Sequence, residues 1–397
     1  MDLSKIFLKD ACPTMVGGQA VMEGVMMRGQ TREAVTIRLP DGRTYIRSTP
    51  RKKSPAVMKL PFVRGVVAFV MSLVSGMSTL TFSADVLEYF TEDETEETDN
   101  AAEKQKEGVF DRFERRMVEK YGEQKVWNVM MAFSVVIALV IAIGVFVLLP
   151  TLAVSALKGV IASEVVLNII EGLLRLAMFV LYIVAVSHMK EIRRVFEYHG
   201  AEHKTIHCFE NGLELVPENA DDFYTLHPRC GTSFLMFVMV ISLVLFSLLG
   251  WPNLAARFAS RILLMPVVAG ISFELLRWAG RSDNIIVKVL SIPGLLLQKI
   301  TTNEPDHEEL EIAMISMKAV LAADRKAAEG ALAASNKAAG ETTESVDETS
   351  AEAAIKKIGD GIFDFVDPEV HEGFCDKDGN IIEPFDIEKA KKERENR

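Results

Sequence analysis

The sequence predicts a mainly α, polytopic membrane helical protein of about four spans plus one re-entrant or interfacial helix. A small N-terminal β-rich unit and a disordered acidic C-terminal tail complete the expected fold. Three observations carry this. Apolar residues are concentrated between about Leu60 and Ile300, and four stretches there are long and apolar enough to cross a bilayer. The run Gly17–Gly29, GGQAVMEGVMMRG, is punctuated by glycine and leads into two alternating segments around Pro40-Asp41-Gly42, the pattern of a hairpin. The last hundred residues are polar and carry most of the net charge of −11. No basic domain with interleaved aromatics occurs, which argues against nucleic acid as a partner. Four cysteines, Cys12, Cys208, Cys230 and Cys375, are too few for a disulfide framework in 397 residues. The N-terminal residues lack the long apolar core of a secretory signal.

In chain order, residues 14–50 form the β-rich unit. Its glycines serve turn and bulge geometry, or else a loop that brings Glu23 or Arg28 close to a site. Residues 60–84 are apolar but rich in Ser, Gly and Thr, with basic residues before them and a basic segment after the neighbouring acidic loop. That charge pattern predicts the re-entrant or interfacial helix. Phe110–Lys125 reads as a basic amphipathic helix on an anionic membrane surface. The membrane helical domain, residues 108–300, holds spans at about Val126–Leu149, Val165–Ser187, Phe234–Leu249 and Ile262–Leu276. Lys120 and Lys125 precede the first span, Lys190, Arg193 and Arg194 follow the second, and Arg277, Arg281 and Lys288 follow the fourth. The positive-inside rule then places the His-rich loop 196–233 and the C-terminus in the cytoplasm of a multi-pass plasma-membrane protein. Ile285–Ile300, broken by Pro293-Gly294, is expected along the surface. Residues 304–334 form an amphipathic helix, with Leu310, Ala313, Met314, Met317 and Leu321 at helical spacing. Residues 335–397 are expected to be mostly disordered, with the aromatics of 360–386 as a short docking segment.

The chemistry concentrates in Phe196–Cys208, FEYHGAEHKTIHC. On a helix His199, Glu202, His203 and His207 share one face. His199-Gly-Ala-Glu202-His203 spells H-x-x-E-H, the inverted zinc-hydrolase pattern. Two imidazoles a turn apart hold one divalent ion, with zinc the first choice, and the carboxylate between them accepts a proton from the water that the ion activates. A further protein ligand is needed, and among His207, His227, Cys230 and Glu274 the expected one is His227 or Glu274. Glu202 is the expected base, and Arg229 is the expected partner of an oxyanion or anionic substrate. The competing reading is a solvated polar helix, with His227–Gly231 only a turn, Glu274 paired with Arg277, and the cysteines packing or holding a structural metal. An ionisable residue such as Glu274 inside a span otherwise marks a functional site.

Three segments, GGQAVMEGVMMRG, EYHGAEHKTIHCFENG and LHPRCGTSF, resemble the YqhQ-like family of bacterial membrane proteins. LTFSADV and ITTNEPDHEELEIA fit the same pattern, and the resemblance covers about Met15 to Val320. It implies a multi-span membrane protein, described at most as a predicted metal-dependent enzyme, with no substrate to carry over. The expected function is hydrolysis of a peptide or lipid-linked substrate at the bilayer surface. The alternatives are a membrane assembly factor with a structural metal, or a small-solute or ion carrier using Glu274.

Overall fold

The computed structural model of the chain describes Ile6, Thr14, Leu60 and residues 16–51, 63–96, 123–250, 253–279, 284–339 and 371–395. The expected Phe110–Lys125 helix lies, but for its last three residues, outside them. The chain forms two compact units: residues 1–92, 183–238 and 265–397, and residues 93–182 and 239–264.

The first unit is built on an antiparallel meander of six strands. Strands β1 (Gly17–Val21), β2 (Gly24–Arg28), β3 (Arg32–Arg38) and β4 (Thr44–Pro50) come from the N-terminal region. The hairpin read at Pro40-Asp41-Gly42 is the β3–β4 turn, with Arg38 opposite Thr44 and Gly42 at φ +83. Strands β5 (His371–Cys375) and β6 (Ile381–Pro384) return from the far end of the sequence, and β5 pairs with β4 so that Tyr45 faces Phe374. The expectation of a mostly disordered tail over 335–397 is therefore corrected for 371–395. Phe374 and Phe385 enter one aromatic cluster with Tyr45 and Phe90 at centroid separations of 5.4–6.4 Å. Burying two such rings offsets the entropy of ordering a polar segment. Residues 14–50 are accordingly part of a larger sheet rather than a unit of their own.

The expected amphipathic helix is α10 (His307–Ala339), and it is a core element. Leu310, Ala313, Met314, Met317 and Leu321 are all buried in one cluster with Val25, Met27, Ala34 and Ile46 of the sheet. Ser316 Oγ lies 2.8 Å from Val25 O and 2.6 Å from Thr36 Oγ1. Asp324 accepts from the Gln30 and Thr31 amides at 2.8 Å each, closing the β2–β3 turn. Helix α5 (Lys190–Glu210) adds Tyr198, Ala201 and Ile206 to the same core.

Helix α1 (Val63–Glu96) is one continuous rod of 34 residues, so the re-entrant form of the expectation for 60–84 is not built. Its two halves meet different surroundings. Arg64 makes a bidentate ion pair with Glu274, both contacts 2.6 Å. Gly65 packs so closely on Gly270 that a Cβ there would lie 2.9 Å from the Gly270 Cα. Further along, Gly76 O accepts from Gln19 at 3.2 Å, Ser83 Oγ accepts from the Met22 amide at 3.2 Å, and Val86 and Phe90 join the aromatic cluster of the sheet. Val63, Val70, Val74 and Met77 remain exposed on one side.

Ile285–Ile300 forms one helix, α9 (Ile285–Thr301), with Ile285, Ile286, Val289 and Leu296 exposed along it. Asn284 caps it by accepting from the Ile286 amide at 3.1 Å, and Leu295, Gln298 and Thr301 are buried. Pro293 sits inside the helix, and Gly294 supplies the space in which Ser233 packs, its Oγ 2.6 Å from where a Cβ would stand.

The second unit is apolar and helical. Helix α2 (Glu123–Ile143) continues through a π-helical turn, Gly144–Leu148, into α3 (Leu149–Ser155). The remaining α-helices among the described residues are α4 (Glu164–Ser187), α6 (Pro217–Ala220), α7 (Gly231–Ser247), α8 (Leu254–Ala279) and α11 (Ile387–Glu395). Among the described residues four helical stretches are long and apolar enough to cross a membrane, namely Val63–Thr91, Phe133–Gly159, Glu164–Ser187 and Ala255–Ala279. The expected span at Phe234–Leu249 corresponds to α7, whose 17 residues reach about 25 Å against a hydrocarbon core of about 30 Å, short of the other four.

Candidate metal centre

Helix α5 presents His199, Glu202, His203 and His207 on one face, as their spacing requires. Two carbonyls from other parts of the chain, one beyond α5 and one ahead of α10, then fix the rings. His199 Nδ1 lies 2.8 Å from Thr301 O at the end of α9, and His203 Nδ1 is hydrogen-bonded to Thr225 O. A carbonyl only accepts, so both Nδ1 atoms carry a proton, and Nε2 is the atom each ring turns towards Cys230 and can offer to an ion on giving up any proton of its own. The two rings pack 4.5 Å apart between centroids. His199 Nε2 lies 3.2 Å from Cys230 Sγ, and His203 Nε2 is buried with no hydrogen-bond partner among the described residues.

His199, His203 and Cys230 therefore bring three ligand atoms within 4.8 Å of one another. Tetrahedral zinc with two imidazoles and a thiolate needs separations of about 3.5 Å, so the set fits that ion with small side-chain adjustment. The carbonyls behind the rings are the outer partners that metal-bound histidines ordinarily have. The donor types suit zinc better than magnesium or calcium.

Burial alone would push the Cys230 thiol up and His199 down. Their mutual attraction reverses both, holding the thiol well below its usual range and raising His199 to about 9. Thr232 assists through its amide, 3.5 Å from the sulfur, where α7 begins.

Glu202 lies beside these three without joining them. Burial raises its carboxyl, opposed by His203 and His199. Its Oε1 accepts from the Gly18 amide at 3.1 Å, and a Cβ on Gly18 would fall 2.8 Å from Glu202 Cγ. The glycine run does approach the site, but through the β1 backbone. Glu23, at φ +50, instead pairs with Arg194 at 2.6 and 2.7 Å, and Arg28 pairs with Glu33 at 2.8 Å.

The other expected ligands are placed elsewhere. His207 Nε2 lies 3.0 Å from Leu226 O, and its ring stacks on Phe223; burial lowers it to about 4. The backbone of His227 is clamped by the Gln298 amide, at 2.8 Å to its N and 2.9 Å to its O. Its ring lies 4.8 Å from that of His207. Arg229, expected to meet an oxyanion, is paired with Glu210. Glu274 is held by Arg64 rather than Arg277, and is not a member of the three-ligand group.

Gly18, Thr225, Thr301, Gln298 and Glu210 were not anticipated. The Gly17-Gly18 pair carried a signal for the first alone. Glu210 also accepts from the Thr14 amide at 2.6 Å. Burial would raise its carboxyl, but His227 and Arg229 outweigh this and hold it down at about 2, against an ordinary 4.5. A carboxyl depressed on folding contributes stability above pH 4.5 that is lost as the pH falls towards 2. Glu210→Gln is expected to cost roughly 3 kcal/mol at neutral pH. It should also flatten the decline of stability through that window. Unfolding of detergent-solubilised protein followed against pH measures both, and an unchanged acid limb would refute the assignment.

The chain matches the family described as "Protein of unknown function (DUF1385)" over residues 60–323. It is 33% identical over 317 residues to "Uncharacterized protein YqhQ" of Bacillus subtilis (strain 168), an alignment covering 79% of this chain and 94% of that protein. No solved structure matches. The likeness read from the motifs thus extends along most of the sequence, and the chain belongs to the DUF1385, YqhQ-like family.

Proposed function

We propose that this protein is a membrane-embedded, metal-dependent hydrolase whose site lies at the cytoplasmic face of the plasma membrane. The carrying observation is the convergence of His199 Nε2, His203 Nε2 and Cys230 Sγ, with Glu202 held beside them by Gly18. Three protein ligands are the usual number at a catalytic zinc, where a fourth position stays open. An ion bound there supplies Lewis acidity and an activated water. Glu202 stands where a base is needed, outside the ligand set, its carboxylate positioned by one backbone amide. Thr301 and Thr225 keep both imidazoles in the tautomer that offers Nε2. With Arg229 committed to Glu210, it braces the end of α5 rather than meeting substrate.

Helix α5 starts three residues after α4 ends, and Cys230 immediately precedes α7, so the site is tethered to apolar helices at both approaches. Lys190, Arg193 and Arg194 support a cytoplasmic setting. The sheet contacts of Gly76, Ser83 and Phe90 support α1 lying along that face, its exposed valines towards lipid, rather than crossing. A substrate drawn from the bilayer surface, lipid-linked or a membrane-proximal peptide, suits that position. The ion pair of Glu274 with Arg64 weighs against the carrier reading.

One observation favours a second reading. His199 and Cys230 in contact at 3.2 Å also resemble a thiolate–imidazolium pair for nucleophilic catalysis without metal. Metal content of detergent-purified protein separates the two. One zinc per chain is expected in wild type and in Glu202→Gln and His207→Gln, and none in His199→Ala, His203→Ala or Cys230→Ser. Metal-free wild type whose Cys230 is alkylated rapidly at pH 7 would replace the first reading with the second. Metal content indifferent to all these variants would sink both.

A further inference from the structure

The second unit holds a group of charges that the hydrolase reading does not use. Glu171, on α4, is 1% exposed. It receives Arg261 of α8 at 2.8 Å, Arg175 at 2.7 Å and the Thr151 hydroxyl at 2.6 Å. Arg257, 4% exposed, donates to Ser155 Oγ at 3.2 Å and lies in the field of both Glu171 and Arg261. Three guanidiniums thus gather around one buried carboxylate inside helices apolar enough to cross a membrane. Guanidinium does not shed its proton to relieve burial, and positive charge in excess inside a bilayer is costly by several kcal/mol. Arg175 Nε is buried and has no hydrogen-bond partner among the described residues, so one donor of its fork is unspent.

Depth narrows what completes the group. Helices of 24 and 25 residues extend about 36 Å, beyond the hydrocarbon core of about 30 Å. Arg257 and Arg261 occupy the first two turns of one, and Glu171 the second turn of the other. Arg175 stands one turn deeper, at the middle of its helix, and reaches back to Glu171 at 2.7 Å, so the guanidiniums gather on the side of the helix N-termini, from which an oxyanion can reach them. We infer that this group binds a phosphate oxyanion, with Arg175, Arg257 and Arg261 as donors and Glu171 as the fixed brace between them. Guanidinium forks match phosphate oxygens in two-point contact, and either a phospholipid headgroup or free phosphate presents that chemistry.

The test uses full-length protein in neutral detergent. Native mass spectrometry measures binding of phosphatidylglycerol against phosphatidylcholine, and calorimetry measures inorganic phosphate. Wild type is expected to prefer the anionic lipid, or to bind phosphate. Arg175→Gln should weaken that binding at least tenfold, and Arg175→Lys, which keeps the charge but not the fork, by less. Glu171→Gln removes the competing carboxylate and should tighten it, an effect opposite to that of misfolding. A preference confined to phosphatidylglycerol assigns the site to the headgroup, and equal binding of inorganic phosphate assigns it to the free anion. If wild type and Arg175→Gln bind both probes alike, the inference fails and the charges only brace the helices.

Discussion

Gly200→Ala is expected to cost the protein about 3 kcal/mol or more and to empty the candidate metal centre. In an ordinary helix interior the same change is stabilising by about 1 kcal/mol, so the sign itself is diagnostic. Gly200 lies under the segment joining α9 to α10, where a Cβ would stand 2.0 Å from Asn303 O. That oxygen belongs to backbone and has little freedom to yield. The segment is laced to α5 by the Asn303 amide on Phe196 O at 2.9 Å and by Thr301 O on His199 Nδ1 at 2.8 Å. Lifting it to admit a methyl group breaks the contact that sets the His199 tautomer. Thermal unfolding and zinc content of the purified variant should fall together. A variant as stable as wild type would show that α5 and the Thr301–Asn303 segment are not in contact.

The same locality explains what the sequence disclosed. H-x-x-E-H is read within one helix, and helical spacing alone puts His199, Glu202 and His203 on one face. The hairpin at Pro40-Asp41-Gly42 is equally local. The choice of Cys230 over His207, His227 and Glu274 depends on where the chain returns after Thr225, which no periodicity reports. The ion pair of Glu274 was not legible because its partner, Arg64, is 210 residues away, whereas Arg277 stands three residues on. Strands β5 and β6 were hidden for a similar reason: a short aromatic segment in a polar tail shows no fold until its partner strand, over 300 residues earlier, is known. Helix α1 was read as re-entrant or interfacial from the basic residues on either side of it, and flanking charge does not report where its small residues pack. Those small residues serve close approach, as at Gly65 on Gly270.

Two adjacent glycines give the sharpest separation of packing from turn geometry. Gly17→Ala is expected to be silent, since nothing lies within 4 Å of its added Cβ. Gly18→Ala should cost about 1–3 kcal/mol, because its Cβ would meet Glu202 Cγ at 2.8 Å and Met26 O at 2.9 Å. Of these the buried carboxylate side chain yields first, and in swinging away it gives up the Gly18 amide. The three candidate ligands are untouched, so the zinc content expected of wild type should be unchanged. Turnover of any substrate that wild type hydrolyses should drop as it does in Glu202→Gln. A double-mutant cycle reads the contact without a substrate. In a Glu202→Ala background the Gly18→Ala penalty should shrink by at least about 1 kcal/mol, leaving only the strain against Met26 O. Strict additivity would mean that β1 does not hold Glu202. The hydrolase reading would then lose the group that positions its base, while the His199–His203–Cys230 cluster would stand on its own.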